Sequence, residues 1–326
     1  MDQIAVFGIG STNFRYAVAV PSGDIVTDVT VEPTRPYALE DQLVEAIDSL
    51  EHSTGESLSG VAVSCTGLVD KATGQISDLD TPDGDTVDRI DVAKAVHEAH
   101  GLPVVLENDC NAAVVGEWHY GSRDGVGSLV HVTFGTGIGG GVVEDGQLLR
   151  GESAQAGEFG LLPVAPDSDV ESTGVTGAWE AFCSGRGIAR SVNERIAAED
   201  PETMLDSDVD AQAVFRAARD GDAFARDCLD RVARYNAAGI AAICNAVNPG
   251  LVTVGGGVAM NNPDEILDGI DRYLDDYLFV DRPEIRVSRL GDDIGLYGAL
   301  AAFVEERETV SVWDRTAAAD TSDADD

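Results

Sequence analysis

The sequence predicts an α/β chain made of two related domains, and three observations carry that prediction. An apolar strand over residues 4–7 enters Gly8-Ile9-Gly10-Ser11-Thr12-Asn13 and leaves through a second strand over residues 14–20. The same order of strand, glycine turn and strand returns at residues 129–134, at 135–141 and from Val142-Val143 onward. Between the two repeats, Pro103-Val104-Val105-Leu106 is short and β-branched enough for a buried strand. It hands over to a helix at Glu107-Asn108-Asp109, the kind of junction where α/β folds place their ligands.

Glycines in such turns let backbone N–H groups approach an anion. One glycine turn is more often a plain hairpin. Two in matching contexts, with a carboxylate between them, point to two domains that address one nucleotide.

In chain order, Pro21-Ser22-Gly23-Asp24 is turn chemistry and leads to an expected third strand over residues 25–31. Residues 39–50 have helical spacing, residues 60–64 form another buried strand, and residues 66–70 read as a polar loop. Helices are expected over 92–100 and 112–118. Residues 209–234 read as one long helix with a solvated acidic face, and residues 235–247 as a separate, more apolar helix ended by Asn248-Pro249-Gly250. A strand over 251–254 closes on Gly255-Gly256-Gly257, a third glycine turn, and a last helix covers 294–303. The expected domains are residues 1–108 with 294–308, and residues 109–293. The small, acidic residues 309–326 are expected to be disordered.

With 326 residues and 44% hydrophobic content, the chain can bury two cores. It has no run of eighteen apolar residues and no basic, apolar leader after Met1, so a cytoplasmic protein with no membrane partner is expected. Acidic residues outnumber basic ones 59 to 21, for a net charge of −38, which opposes binding to nucleic acid or anionic membrane. Only two basic residues are lysines, Lys71 and Lys94; nineteen are arginines. Acidic, lysine-poor surfaces resemble those of proteins from organisms that keep molar salt in the cytoplasm, where a screening length of about 3 Å quenches self-repulsion. Cys65, Cys110, Cys183, Cys228 and Cys244 are odd in number and lack metal-ligand spacing, so reduced, buried thiols are expected. The dispersed His52, His97, His100, His119 and His131 are read as surface or satisfied core residues.

Asp109 has two readings. Beside Asn108 it could orient a sugar hydroxyl and accept its proton. The plainer reading of the stretch by itself is an Asn-Asp pair that caps the helix that follows.

Taken in order, these pieces resemble the ROK family of sugar kinases, over residues 4–303. Leu106-Glu107-Asn108-Asp109 with Asn111-Ala112-Ala113 is similar to the family's catalytic motif. The stretch 135–141 resembles its second phosphate turn, and Val254-Gly255-Gly256-Gly257-Val258 its adenosine-side turn. Gly157-Glu158-Phe159-Gly160 and the segment from Gly177 to Gly185 containing Glu180 resemble its sugar motifs. The resemblance implies an actin-like, hexokinase-type, ribonuclease H-like fold of duplicated domains with a cleft between them. It implies ATP and Mg²⁺ as cofactors, a sugar substrate and a homo-oligomer, dimer or tetramer. It casts Asp109 as the general base and Gly67, Asn108, Glu158 and Glu180 as sugar-binding residues. Gly10, Ser11, Thr12 and Asn13, with Gly135, Thr136 and Gly137 and with Gly255, Gly256 and Gly257, would serve the nucleotide and its phosphates.

Two departures stand out. The family's structural zinc is held by one His and three Cys, where this chain has Leu161, Glu171, Thr173 and Ala178, so no zinc is expected. That His also reaches the sugar, and the loop Asp80-Thr81-Pro82-Asp83 lies near a usual sugar-binding Asn, so the sugar is left open. Gly8 stands where the first turn usually carries an Asp that helps organise Mg²⁺. The leading reading is an ATP-dependent hexose kinase of the glucose or fructose type. The alternative is a weakened or inactive sugar-binding protein on the same fold. A repressor is set aside, because few residues precede the first glycine turn and the charge is strongly negative.

Overall fold

The computed structural model describes residues 2–81, 84–122 and 125–310. Pro82 and Asp83 of the expected sugar loop, and residues 311–326 of the expected tail, lie outside them; the first two residues of that tail, 309 and 310, instead end a helix. The chain forms two compact units, one up to Ser122 together with the residues from Asp292 onward, the other made of the residues between.

The first unit holds a five-stranded sheet of β1 (Ile4–Ile9), β2 (Asn13–Ala19), β3 (Thr30–Pro33), β4 (Gly60–Cys65) and β9 (Val104–Asn108), in the order β3-β2-β1-β4-β9. β1 to β3 form an antiparallel meander, and β4 and β9 join β1 in parallel. Side chains alternate between the sheet's faces. Val61 and Val63 therefore join Phe7 and Phe14 beneath α1 (Leu39–Thr54) and α2 (Val92–His100). Ala62 joins Ile4, Val6 and Val105 on the other face, covered by Leu296, Leu300 and Phe303 of α10 (Ile294–Val310). Gly55 and Gly101 stop α1 and α2 in the left-handed conformation.

α3 (Asp109–Gly116) packs on α10 at backbone distance. A Cβ on Gly298 would lie 2.2 Å from the Ala112 carbonyl oxygen, and one on Gly116 would lie 2.7 Å from the Gly298 nitrogen. This contact keeps α3 in the first unit, so the chain leaves that unit after Ser122 rather than after residue 108. α3 begins three residues earlier than its composition suggests and widens into a π turn over Glu117–Ser122, where the buried Glu117 accepts from Ser122 Oγ at 2.8 Å.

Two small hairpins complete this unit: β5 (Leu68–Asp70) with β6 (Gln75–Ser77), and β7 (Leu79–Asp80) with β8 (Thr86–Val87). The first corrects the expected polar loop at 66–70. The expected strand over 25–31 is also interrupted. Thr27 Oγ1, not a carbonyl, accepts from Val18 N at 2.9 Å, and regular pairing resumes only at Thr30.

The second unit repeats the plan. β10 (Ser128–Phe134), β11 (Ile138–Glu144), β12 (Gln147–Leu148), β15 (Leu251–Gly255) and β16 (Glu284–Val287) lie in the order β12-β11-β10-β15-β16. The first three are antiparallel and the last two parallel, as in the first sheet. This is the duplicated α/β architecture the sequence predicts. β11 starts at Ile138, so residues 139–141 are strand rather than turn. Bare backbone at Gly140 admits the Phe159 ring, which would lie 2.5 Å from a Cβ there.

Helices α4 (Glu180–Cys183), α5 (Gly185–Glu199), α6 (Ala211–Asp220), α7 (Ala223–Val247), α8 (Gly256–Asn261) and α9 (Pro263–Tyr273) complete the unit. The expected break near residue 234 is absent, since α7 runs through it. The break falls at Gly221, whose φ is +105°, and Asp222 caps α7 by accepting from Ala225 N at 2.9 Å. The fully buried Trp179 lies on α7, where a Cβ at Gly239 would reach within 2.5 Å of its ring, and donates to Asn236 at 2.8 Å. β13 (Glu171–Ser172) and β14 (Val175–Thr176) form a short hairpin.

All five cysteines are free; four are buried and Cys110 is half-buried. Among the described residues, no helix is long and apolar enough to cross a membrane.

His131, fully buried on β10, hydrogen-bonds through Nδ1 to Thr253 Oγ1 at 2.9 Å, and burial pushes its pKa down to about 4. The unfolded chain takes up this proton below its ordinary pKa of about 6.5. The stabilising contribution is therefore complete above that value and lost as pH falls towards 4. It amounts to about 3 kcal/mol. Urea unfolding of wild type and His131→Gln across this window should give a steeper loss for wild type; parallel curves would mean that the imidazole titrates normally.

The charge of −38 leads to a second expectation. Arginine–carboxylate pairs such as Arg272–Asp230 and Arg89–Asp91 are largely exposed and offset little of the repulsion. The melting temperature is expected to fall as KCl is lowered from molar to millimolar. A flat response by circular dichroism would remove the high-salt reading.

Candidate active site

The strand β9 ends at Asn108, and α3 starts at Asp109. Asn108 is the cap: its Oδ1 accepts from Cys110 N at 3.0 Å and from Asn111 N at 3.3 Å. Its Nδ2 faces the Gly67 carbonyl oxygen at 3.4 Å, which brings two of the expected sugar residues together. Gly67 is obligatory here, with φ +91° and the Ser77 carbonyl oxygen 2.7 Å from where a Cβ would be. Asp109 Oδ1 accepts from Cys110 N at 2.9 Å. Burial pushes the Asp109 carboxyl above its usual range, more than that hydrogen bond pulls it down.

The first glycine turn is the β1–β2 connection. Gly10 N donates to the Asn13 carbonyl at 2.9 Å, and Ser11, Thr12 and Asn13 reach the surface. Thr34 braces the turn from β3's end, its Oγ1 donating to Gly10 O at 2.7 Å and its N to Thr12 O at 3.0 Å. Nothing local in the sequence marks Thr34 for this task.

In the second unit, Gly135 N donates to Gly137 O at 2.9 Å, and Gly185 N at the start of α5 donates to Gly135 O at 2.8 Å. Thr136 is exposed at the tip. Ser184 caps α5 through Gly187 N at 3.0 Å, a role its Ser-Gly-Arg-Gly context could have signalled. Gly255 ends β15, Gly256 takes φ +79° with Phe134 O 2.5 Å from a hypothetical Cβ, and Gly257 continues into α8.

Glu180 has internal partners that sequence reasoning missed. Its Oε2 accepts from Ile138 N at 3.1 Å, just after the second turn, and its Oε1 accepts from Ser172 Oγ at 2.6 Å. A carboxylate has about four acceptor sites, so capacity remains for a ligand. Glu158 is exposed at the start of a 3₁₀ turn, Phe159–Leu161, which packs on β11 through Gly157 and Gly160.

The four positions that the resemblance matches to zinc ligands have these places in the fold. Leu161 packs against the core, Ala178 is buried in it, Glu171 pairs with Thr176 in the β13–β14 hairpin, and Thr173 makes its turn at φ +51°. Ser172 on that hairpin holds Glu180.

Residues 4–306 match the ROK family model. A glucokinase from Halalkalibacterium halodurans is 31% identical over 89% of this chain and 91% of its own. The crystal structure of a ROK hexokinase from Thermus thermophilus superposes with a TM-score of 0.78 at 32% identity, over 94% of this chain and 99% of that one. A ROK family glucokinase from Streptomyces griseus, solved with glucose and AMPPNP, gives 0.74 at 28% identity, over 91% and 98%. Fold, motif order and similarity over nearly the full length agree: the chain belongs to the ROK family.

Proposed function

We propose that the protein is an ATP-dependent sugar kinase that transfers the γ-phosphoryl group to a hydroxyl of a hexose of the glucose or fructose type. The observation that carries this reading is the division of labour at β9–α3. Asn108 does the capping, and Asp109, beside it, keeps a carboxylate whose raised pKa makes it a stronger base. Asp109 takes the proton of the attacking hydroxyl. Asn108, Glu158 and Glu180 hold ring hydroxyls by hydrogen bonds, charge-assisted at the two glutamates. The three glycine turns bring backbone N–H groups to the nucleotide and its phosphates, which suits a reaction that depends mainly on positioning and charge neutralisation. Curated glucokinase relatives and the nucleotide and sugar in the Streptomyces griseus structure support the same reading.

Mg²⁺ usually binds through few protein carboxylates together with substrate phosphates. Among the described residues, no three His, Cys, Asp or Glu side chains gather as a metal cage, so the proposed Mg²⁺ enters on the triphosphate and neutralises its charge. Zinc has no part in the proposal.

Gly8 favours a second reading, a sugar-binding protein without turnover. Its surroundings speak for tolerance instead. A Cβ on Gly8 would meet Leu296 at 3.6 Å and Arg15 at 3.9 Å, ordinary contacts. Arg15 stands directly across from Gly8 on β2 and would face a carboxylate placed there. The test is phosphate transfer to a panel of hexoses in high KCl with Mg²⁺ and a zinc chelator, for wild type and Gly8→Asp. Both are expected to be active, the variant at an equal or higher kcat. Tight sugar binding by calorimetry without phosphorylation of any sugar would establish the binding-protein reading.

A further inference from the structure

Of the two lysines in this chain, Lys94 stands in solvent beside Glu98, while Lys71 is drawn inward. Lys71 lies in the turn of the β5–β6 hairpin, and its Nζ donates to Glu107 Oε2 at 2.9 Å and to Glu306 of α10. Glu107, 2% exposed, is the residue before Asn108 and Asp109. Its other oxygen, Oε1, accepts from Asn108 N at 3.1 Å and from Asn111 Nδ2 at 3.4 Å. One carboxylate thus holds the β9–α3 turn with one oxygen and the hairpin with the other.

The hairpin meets the same turn a second time at its base, where Gly67 O receives Asn108 Nδ2. That bond, at 3.4 Å, is long and would let the hairpin pivot if it acted alone. Lys71 supplies the second point of attachment, and Glu306 fixes Lys71 to α10. A buried carboxylate has to be paired or neutralised, and the compact ammonium of lysine on its flexible stem can serve two carboxylates from one side.

We infer that Lys71 is a positioning residue for phosphoryl transfer: through Glu107 it locks the β5–β6 hairpin against the β9–α3 turn, so that Gly67, Asn108 and Asp109 present one fixed geometry to the sugar. The inference rests on the kinase reading above for its catalytic consequence, and on the hydrogen bonds alone for the lock.

Lys71→Met by itself leaves Glu107 buried without its cation and is open to failure of folding. The Lys71→Met/Glu107→Gln pair removes both charges at nearly constant shape and keeps the experiment informative. The double variant is expected to fold and to lose about tenfold or more in kcat, since a misplacement of about 1 Å can cost up to about 10²-fold. Its KM for ATP should stay close to wild type. A folded double variant with unchanged kcat would overturn the inference, as would a loss of kcat matched by an equal rise in KM for ATP, the mark of general loosening. Should wild type phosphorylate no sugar, the kinase reading fails separately, and the lock is read by hydrogen exchange. Amides over residues 67–71 and 108–111 should then exchange about tenfold faster in the double variant, while unchanged protection would overturn the lock.

Discussion

Asp109→Asn is expected to lower kcat for sugar phosphorylation by about 10²–10⁴-fold while sugar binding survives, the usual cost of removing a positioned base. The amide keeps the shape of the side chain and can still accept from Cys110 N, so α3 should remain in place. Asn108, which caps α3 through two backbone amides, is untouched. As a base, Asp109 would work only when ionised, and burial raises its pKa. The acid limb of kcat/KM should therefore lie above the ordinary aspartate value of about 3.9. Rates near wild type for the variant would reduce Asp109 to a second helix cap.

Gly298→Ala is expected to have the largest effect on stability. Its Cβ would lie 2.2 Å from the Ala112 carbonyl oxygen and 2.3 Å from the carbon, so two helices would have to separate. Overpacking of this kind costs about 1–3 kcal/mol and sometimes more, against a gain of about 1 kcal/mol in helix propensity. The overlap wins, and because α3 starts at Asp109 the displacement reaches that residue. Gly295→Ala in the same helix is the control. Its Cβ would meet only Ser64 Oγ at 3.6 Å and Gly8 Cα at 3.8 Å, so propensity should leave it neutral or slightly stabilised. Thermal unfolding of the two variants should separate them; equal melting temperatures would mean that α3 and α10 yield without cost.

Much of this was legible because apolar periodicity and glycine placement are local signals. The α2 span of 92–100 agrees with Val92–His100, and both strand–turn–strand repeats are present, although strand takes over the ends of the expected turns and leaves residues 10–12 and 135–137 as turn. The family motifs could also be read as strings, since the residues of each motif stand next to one another in the chain. What the sequence hides is who answers whom across the fold. Glu180 looks like a sugar ligand, yet its nearest partners are Ser172 and Ile138 N. Lys71 looks like an ordinary turn residue until Glu107 and Glu306 are brought to it. The helix break at Gly221 was missed because amphipathic spacing continues across it; the cap at Asp222, also held by Thr203 Oγ1 at 2.7 Å, ends one helix and starts the next.

The first unit is assembled from two distant stretches of chain, and this sets an order of events during synthesis. The residues from 125 to 291 are contiguous and carry everything their own core needs. The sheet that starts at Ile4 lacks the helix that covers one of its faces until residues 294–303 have been made. Vectorial folding normally favours whatever emerges first. Here the part of the protein that is translated first is completed last, and Ile4, Val6, Ala62 and Val105 wait uncovered for Leu296, Leu300 and Phe303. A nascent chain halted after Gly291 would hold one finished half and one half with an exposed apolar face, the form in which a chaperone would meet it.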